Sequence, residues 1–193
     1  MTWSDYYEAN ADRPPRDLLL EVLASFDAPG AAVDLGCGAG IDTAAMLERG
    51  WTVHAIDAEP EAIERLRQIV PSDAGSRLRT EVARMEDAEL PSVDLVWAGF
   101  SLFFCERFDV VWDRIGTAIR PGGRFAGELL GDRDSWAPDR GISAFHRTDA
   151  EALFEGWTVE RFEGEEHDGE ACSGPKHWHL FHAVARKSGG RLS

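Results

Sequence analysis

Two hydrophobic rhythms alternate along this chain: short apolar runs, and longer segments with apolar residues three and four apart. After Pro14-Pro15, Leu18, Val22, Leu23 and Phe26 mark a helix that Asp27 to Gly30 ends. Ala31 to Leu35 reads as a short buried strand, Thr43 to Arg49 as a helix stopped by Gly50, and Thr52 to Ile56 as a second strand. Pro60 suits a first helical turn, and Ile63, Leu66 and Val70 give the helix that follows one apolar face. A third strand is expected within Leu78 to Met85 and a fourth over Val93 to Ala98. Phe108, Val111, Trp112, Ile115 and Ile119 repeat at helical spacing until Pro121-Gly122-Gly123, and Arg124 to Leu130 continues as a fifth strand.

Thr148 with Glu151 is a capping-box signature for a helix ending near Gly156. Two last strands, Thr158 to Phe162 and His177 to Arg186, flank an acidic loop bearing glycines. That loop has no helical pattern, and parallel strands need a long, usually helical crossover, so the pair reads as a hairpin with its last strand antiparallel. The expected fold is α/β: a three-layer sandwich around a mostly parallel, seven-stranded sheet with a C-terminal antiparallel hairpin.

Composition narrows the setting. With 193 residues and 44% hydrophobic composition, the expectation is one domain over residues 1–187 and a loose tail over 188–193. Residues 1–29 would form an N-terminal lid and helix. No apolar run approaches the roughly 18 residues that span a bilayer. The opening, Met-Thr-Trp-Ser-Asp-Tyr-Tyr-Glu, lacks the layout of a secretion signal. Cys37, Cys105 and Cys172 are odd in number and far apart, which argues against disulfides and for a reducing cytoplasm. The formal net charge of −15 opposes nucleic acid and anionic lipid as partners.

The densest chemistry lies in Val33-Asp34-Leu35-Gly36-Cys37-Gly38-Ala39-Gly40, a strand running into a glycine turn that opens a helix. Such a turn brings backbone N–H groups to a nucleotide-like ligand, and side chains there would block its approach. No Gly-Lys-Ser or Gly-Lys-Thr follows, which excludes a nucleoside-triphosphate loop. The spacing is Gly-x-Gly-x-Gly, with Ile41 where a dinucleotide fingerprint wants glycine or alanine. Asp34 precedes the first glycine by two residues, where a carboxylate would oppose a pyrophosphate and suit a cation.

This run resembles the first motif of the S-adenosylmethionine-dependent methyltransferases with the seven-strand Rossmann-like fold. The resemblance continues in order through Asp57, Glu86 with Asp87, and Pro121-Gly122-Gly123 before the fifth strand, over roughly residues 30 to 187. In length the chain is similar to the tellurite-resistance-type and other compact small-molecule members, with no added recognition domain expected. The resemblance implies S-adenosyl-L-methionine as cofactor and methyl transfer to an oxygen, nitrogen or sulfur of a small acceptor. Asp57 would take both ribose hydroxyls, its alternative being a helix cap before Glu59-Pro60. Met85 and Glu86 would hold the adenine, with Asp87 able to serve after a one-residue shift. Asp34 would face the amino-acid end, Gly36, Cys37, Gly38 and Gly40 would pass the methionine portion, and Gly99 and Phe100 would sit beside it. Cys37 reads as a small turn residue, not a nucleophile.

The acceptor side is less defined. The amino-methyltransferases of nucleic acids and some proteins carry Asn or Asp, Pro, Pro and an aromatic after the fourth strand. Here the sequence is Ala-Gly-Phe-Ser-Leu-Phe-Phe, and Phe100, Phe103 and Phe104 suit either an apolar pocket or core packing. Arg133 is a candidate grip for an acceptor anion, with Trp136 as a flat wall, unless the Asp132–Arg133–Asp134 charges serve only their own loop. Tyr7 stands in the candidate lid beside Trp3, Tyr6, Arg13 and Arg16. His177 and His179 are candidate general bases, with His146 a weaker one; packed structural histidines are the alternative. No metal is expected, because His167, Cys172 and these histidines match no structural zinc spacing. The same cofactor site also admits cyclisation chemistry that releases methylthioadenosine, or binding without catalysis, and a nicotinamide or flavin enzyme is the rival family.

Overall fold

The computed structural model describes residues 2–71 and 73–189, so most of the expected tail, residues 190–193, lies outside the described residues. Seven strands form one path: β1 (Ala31–Leu35), β2 (Thr52–Asp57), β3 (Leu78–Val82), β4 (Val93–Ala98), β5 (Ile119–Gly131), β7 (Trp157–Ala171) and β8 (Gly174–Lys187). Their order is β3-β2-β1-β4-β5-β8-β7, and a two-residue β6 (Ala144–Phe145) adds to β5. The pairs β3–β2, β2–β1, β1–β4 and β4–β5 are parallel, whereas β8 runs antiparallel to both β5 and β7. The expected sheet with its terminal hairpin is the observed one.

Period-two alternation sorts the strand residues between two cores. Val33, Leu35, Val96, Phe125 and Phe181 pack on one face under α5 (Phe108–Ala118) and α6 (Arg147–Ala152). Ala32, Leu95, Trp97, Ala126 and Val184 face the other way, against α2 (Asp17–Ala24) and α3 (Ile41–Glu48). Ala55 meets Ile63 and Leu66 of α4 (Pro60–Ile69) on that second face. Burying both faces leaves the carboxyl ends of the parallel strands as the open edge where loops can form a site.

Three expectations change. The acidic loop before His177 is strand: β7 and β8 pair from Trp157↔Lys187 to Ala171↔Gly174, a two-stranded ribbon projecting past the sheet. The opening residues form α1 (Trp3–Ala9), capped reciprocally by the Thr2 side chain and the Asp5 carboxylate. And α6 starts at Arg147 with His146 as its uncapped N-cap, so Thr148 is no cap; Glu151 pairs with Arg147 instead at 2.8 Å.

Candidate active site

A cavity of about 680 Å³ opens where β1, β2 and β4 end. This lies within the roughly 300–1,000 Å³ common for small-molecule sites. The turn after β1 holds Gly36, Gly38 and Gly40 at φ 78°, 53° and 88°, a left-handed region that favours glycine at each position. Their surroundings differ. A Cβ on Gly40 would come within 2.5 Å of Leu66, and one on Gly36 would strike Ser101, so those two glycines serve packing. All three line the cavity, but only Gly38 has open space beside it, with Tyr7 3.7 Å from where its Cβ would stand.

Acids ring this inner part. Asp57, at the end of β2, accepts from the Gly38 N–H at 2.8 Å through one oxygen and from the Glu59 N–H at 2.9 Å through the other. It thus braces both the glycine turn and the approach to α4, and burial raises its pKa. Glu86 accepts from the Glu106 N–H at 2.8 Å and lines the cavity. Burial works against its charge, yet backbone N–H groups and Arg84 hold its pKa below the usual range. Asp87 points outward to Arg107 at 3.5 Å, so the choice between neighbouring acids falls on Glu86.

Asp34 is buried and accepts from the Thr43 hydroxyl at 2.5 Å. Burial, with Asp42 nearby, pushes its pKa up to about 7. Asp42 behaves in the opposite sense. Burial opposes its charge, but Arg13 at 3.0 Å and Arg16 at 2.8 Å outweigh that and keep its pKa low. Both arginines precede α2, in the segment expected to form a lid. Their spacing before α2 carried no sign that they converge on an aspartate 26 and 29 residues away.

All ten residues expected around a cofactor line this one cavity. Tyr7, beside Gly38, and Trp136 line it too. Arg133 does not. Its guanidinium grips Glu166 of β7 at 2.8 Å, an exposed ion pair outside the cavity. His177 and His179 also fall elsewhere, because Trp178 turns into the cavity and its strand neighbours must turn away. His177 is held by Asp168 at 2.7 Å and Glu166 at 3.3 Å, which raise its pKa. His179 is buried; burial and the Arg133 charge lower its pKa, and its Nδ1 accepts from the Arg133 N–H at 3.1 Å. His146 pairs with Asp132 at 2.6 Å and is mostly exposed.

Two strand residues around the mouth of the site take definite places: Trp178 of β8 lines the cavity, and Glu128 of β5 stands just behind it. Glu128 is buried and accepts from the N–H of Phe100 at 3.0 Å. Phe100 has φ 55°, left-handed for a residue with a side chain, and this bond secures that turn beside the cavity. The bond arises because β4 and β5 lie side by side.

A doubly covered parallel sheet with a glycine turn after β1 and an acid closing β2 defines a nucleotide-binding α/β fold of the Rossmann-like class. A family model described as a methyltransferase domain matches residues 33–127. The chain is 29% identical over 141 residues to trans-aconitate 2-methyltransferase of Sinorhizobium medicae, covering 69% of this chain and 52% of that protein. It spans about half the length of the curated relatives it matches. Its fold is similar to that of TehB from Haemophilus influenzae, with a TM-score of 0.76 at 15% identity, covering 97% of this chain and 68% of that one. It is also similar to the Burkholderia thailandensis 1,6-didemethyltoxoflavin-N1-methyltransferase solved with 1,6-didemethyltoxoflavin and S-adenosylhomocysteine bound. There the TM-score is 0.68 at 22% identity, covering 96% of this chain and 84% of that one. The chain carries a methyltransferase domain on a Rossmann-like fold shared with solved methyltransferases.

Proposed function

We propose that this chain transfers a methyl group from S-adenosylmethionine to a small-molecule acceptor in the cytoplasm. The observation that carries this reading is the convergence on one cavity of the Gly38 turn, Asp57, Glu86 and the Asp34–Asp42–arginine cluster. The donor set fits the cofactor. Asp57 keeps lone pairs for two hydroxyls, and Glu86 offers an acceptor to an amine. Asp34 suits an ammonium on the amino-acid group, and the half-buried Arg13 and Arg16, held by Asp42, keep positive charge at the same end. When bound, S-adenosylmethionine supplies an electrophilic methyl on a sulfonium.

The residues of the chain then act by placement. With the cofactor held by Gly38, Asp57 and Glu86, its methyl would face an acceptor heteroatom in the rest of the cavity, whose proton would pass to water. Alignment of the two reactants provides most of the acceleration. No histidine lines the cavity among the described residues, and burial followed by the Asp57 charge raises the Tyr7 pKa, so that phenol stays protonated. Among the described residues the cavity therefore offers the acceptor neither a histidine base nor an ionised Tyr7.

Helix α1 covers this arrangement as a lid. Ser4 donates to Glu61 at 2.9 Å, Glu8 reaches Arg65 at 3.6 Å, and Trp3 packs edge-on against Phe104 at 5.2 Å. The cytoplasmic setting is supported by three free cysteines. No helix among the described residues is long and apolar enough to cross a membrane. Thermal shift tests the cofactor assignment: S-adenosylhomocysteine should stabilise the protein and NAD should not. The reverse result would reject it. In turnover assays S-adenosylhomocysteine should accumulate; methylthioadenosine in its place would point to cyclisation.

A further inference from the structure

We infer that the outer half of the cavity is an acceptor site for a flat, uncharged aromatic molecule. This rests on the assignment of the inner half to S-adenosylmethionine. The outer wall is a run of aromatic rings drawn from four separate parts of the chain. Trp3 of α1 meets Phe104 at 5.2 Å, Phe104 meets Trp136 at 6.0 Å, and Trp136 meets Trp178 of β8 at 5.6 Å. Phe100 closes the run at 6.1 Å from Trp178, where the outer half meets the glycine turn. Rings brought together from α1, the segment after β4, the segment after β5 and the ribbon line a space rather than fill one element's core. A planar guest offers them stacked and edge-on contacts.

Charge selects among planar guests. The Lys176 ammonium lies 3.9 Å from the Trp136 ring centre and 4.3 Å from that of Trp178. Lys176 is buried, pairs with Asp134, and is not part of the lining. A cation already engaging both indoles draws on their π density and leaves them poorer partners for a second cation. Carboxylate guests fare no better. Arg13 and Arg16 are committed to Asp42 at the inner end, and Arg84 lies 3.5 Å from Glu86. Glu170 lines the outer half and has no ion pair among the described residues, so the free charge facing a guest there is negative. A neutral ring bearing a phenol, thiol or ring N–H satisfies these walls, and its proton can pass to Glu170 or to water.

The test uses the whole chain saturated with S-adenosylhomocysteine and isothermal titration of three probes. These are 2-naphthol, trans-aconitate as a tricarboxylate, and 2-naphthylmethylammonium as a cation of similar shape. The expected result is 2-naphthol binding at least about tenfold tighter than either ion. Trp136→Ala should weaken it by about tenfold while Trp136→Phe retains most of the affinity. Tighter binding of either ion, or no binding of 2-naphthol to the loaded protein, would overturn the inference. Failure of the initial S-adenosylhomocysteine titration would instead reject the cofactor assignment, and the acceptor inference with it.

Discussion

Asp34 and Asp42 show how two buried carboxylates on neighbouring elements take opposite charge states. Asp42 has two guanidiniums and stays ionised, whereas Asp34 has only a hydroxyl and rises to about 7. A folded-state pKa above the unfolded value contributes stability at low pH, and that contribution is lost as pH rises through about 7. A bound ammonium favours the ionised form. Affinity for S-adenosylhomocysteine should therefore rise from about pH 6 to about pH 8 and then level off. Asp34→Asn should bind more weakly with a flat profile over that range, measured by calorimetry at several pH values. A wild-type profile as flat as the variant's would contradict the role given to Asp34. At this scale Asp34, Asp57 and Glu86 were legible because each lies near or just past the end of a strand in a recognisable order. The histidines were not. Their shared face followed from alternation, but which face meets the cavity depends on the pairing of Leu130 with Leu180.

Among the elements, the β7–β8 ribbon departs most from the sequence reading. From Glu163 to Glu170 its residues are mostly exposed and acidic, so no apolar alternation marks a strand. Pairing and cross-strand ion pairs sustain it instead, including His177 with Asp168 and His182 with Glu165 at 2.7 Å each. Its attachment to the sheet is polar and buried. Asp134 pairs with Lys176, and the same carboxylate accepts from the N–H groups of His179 at 3.0 Å and Trp136 at 2.9 Å. Breaking one partner of such a pair costs about 3–5 kcal/mol. Lys176→Met should lower stability by about that amount in urea denaturation, because Asp134 is left charged and buried. A change within about 0.5 kcal/mol would show that the pair does not anchor the ribbon. Helix α1, by contrast, did carry a signal: Thr2 and Asp5 stand three apart, the spacing of the reciprocal cap that forms.

For the molecule as a whole, alternating rhythms were enough to indicate a sheet covered on both faces, because buried parallel strands and amphipathic crossovers leave unlike patterns. Burial drives both patterns, so the core was readable. The cavity is shaped by segments far apart in sequence and held by single polar contacts, and so its outer half emerges only from the assembled structure. The two halves follow different logic, acids and arginines inside, aromatic rings outside, and the boundary between them is Phe100 on its Glu128 bond. The account depends first on the inner half. Titration of S-adenosylhomocysteine into the wild-type protein and Asp57→Ala tests it most directly. The wild type should bind, and the variant, still folded, should lose about 1.5–3 kcal/mol of affinity with the carboxylate that takes two hydroxyls. Absence of binding by the wild type, or equal affinity in the folded variant, would contradict it.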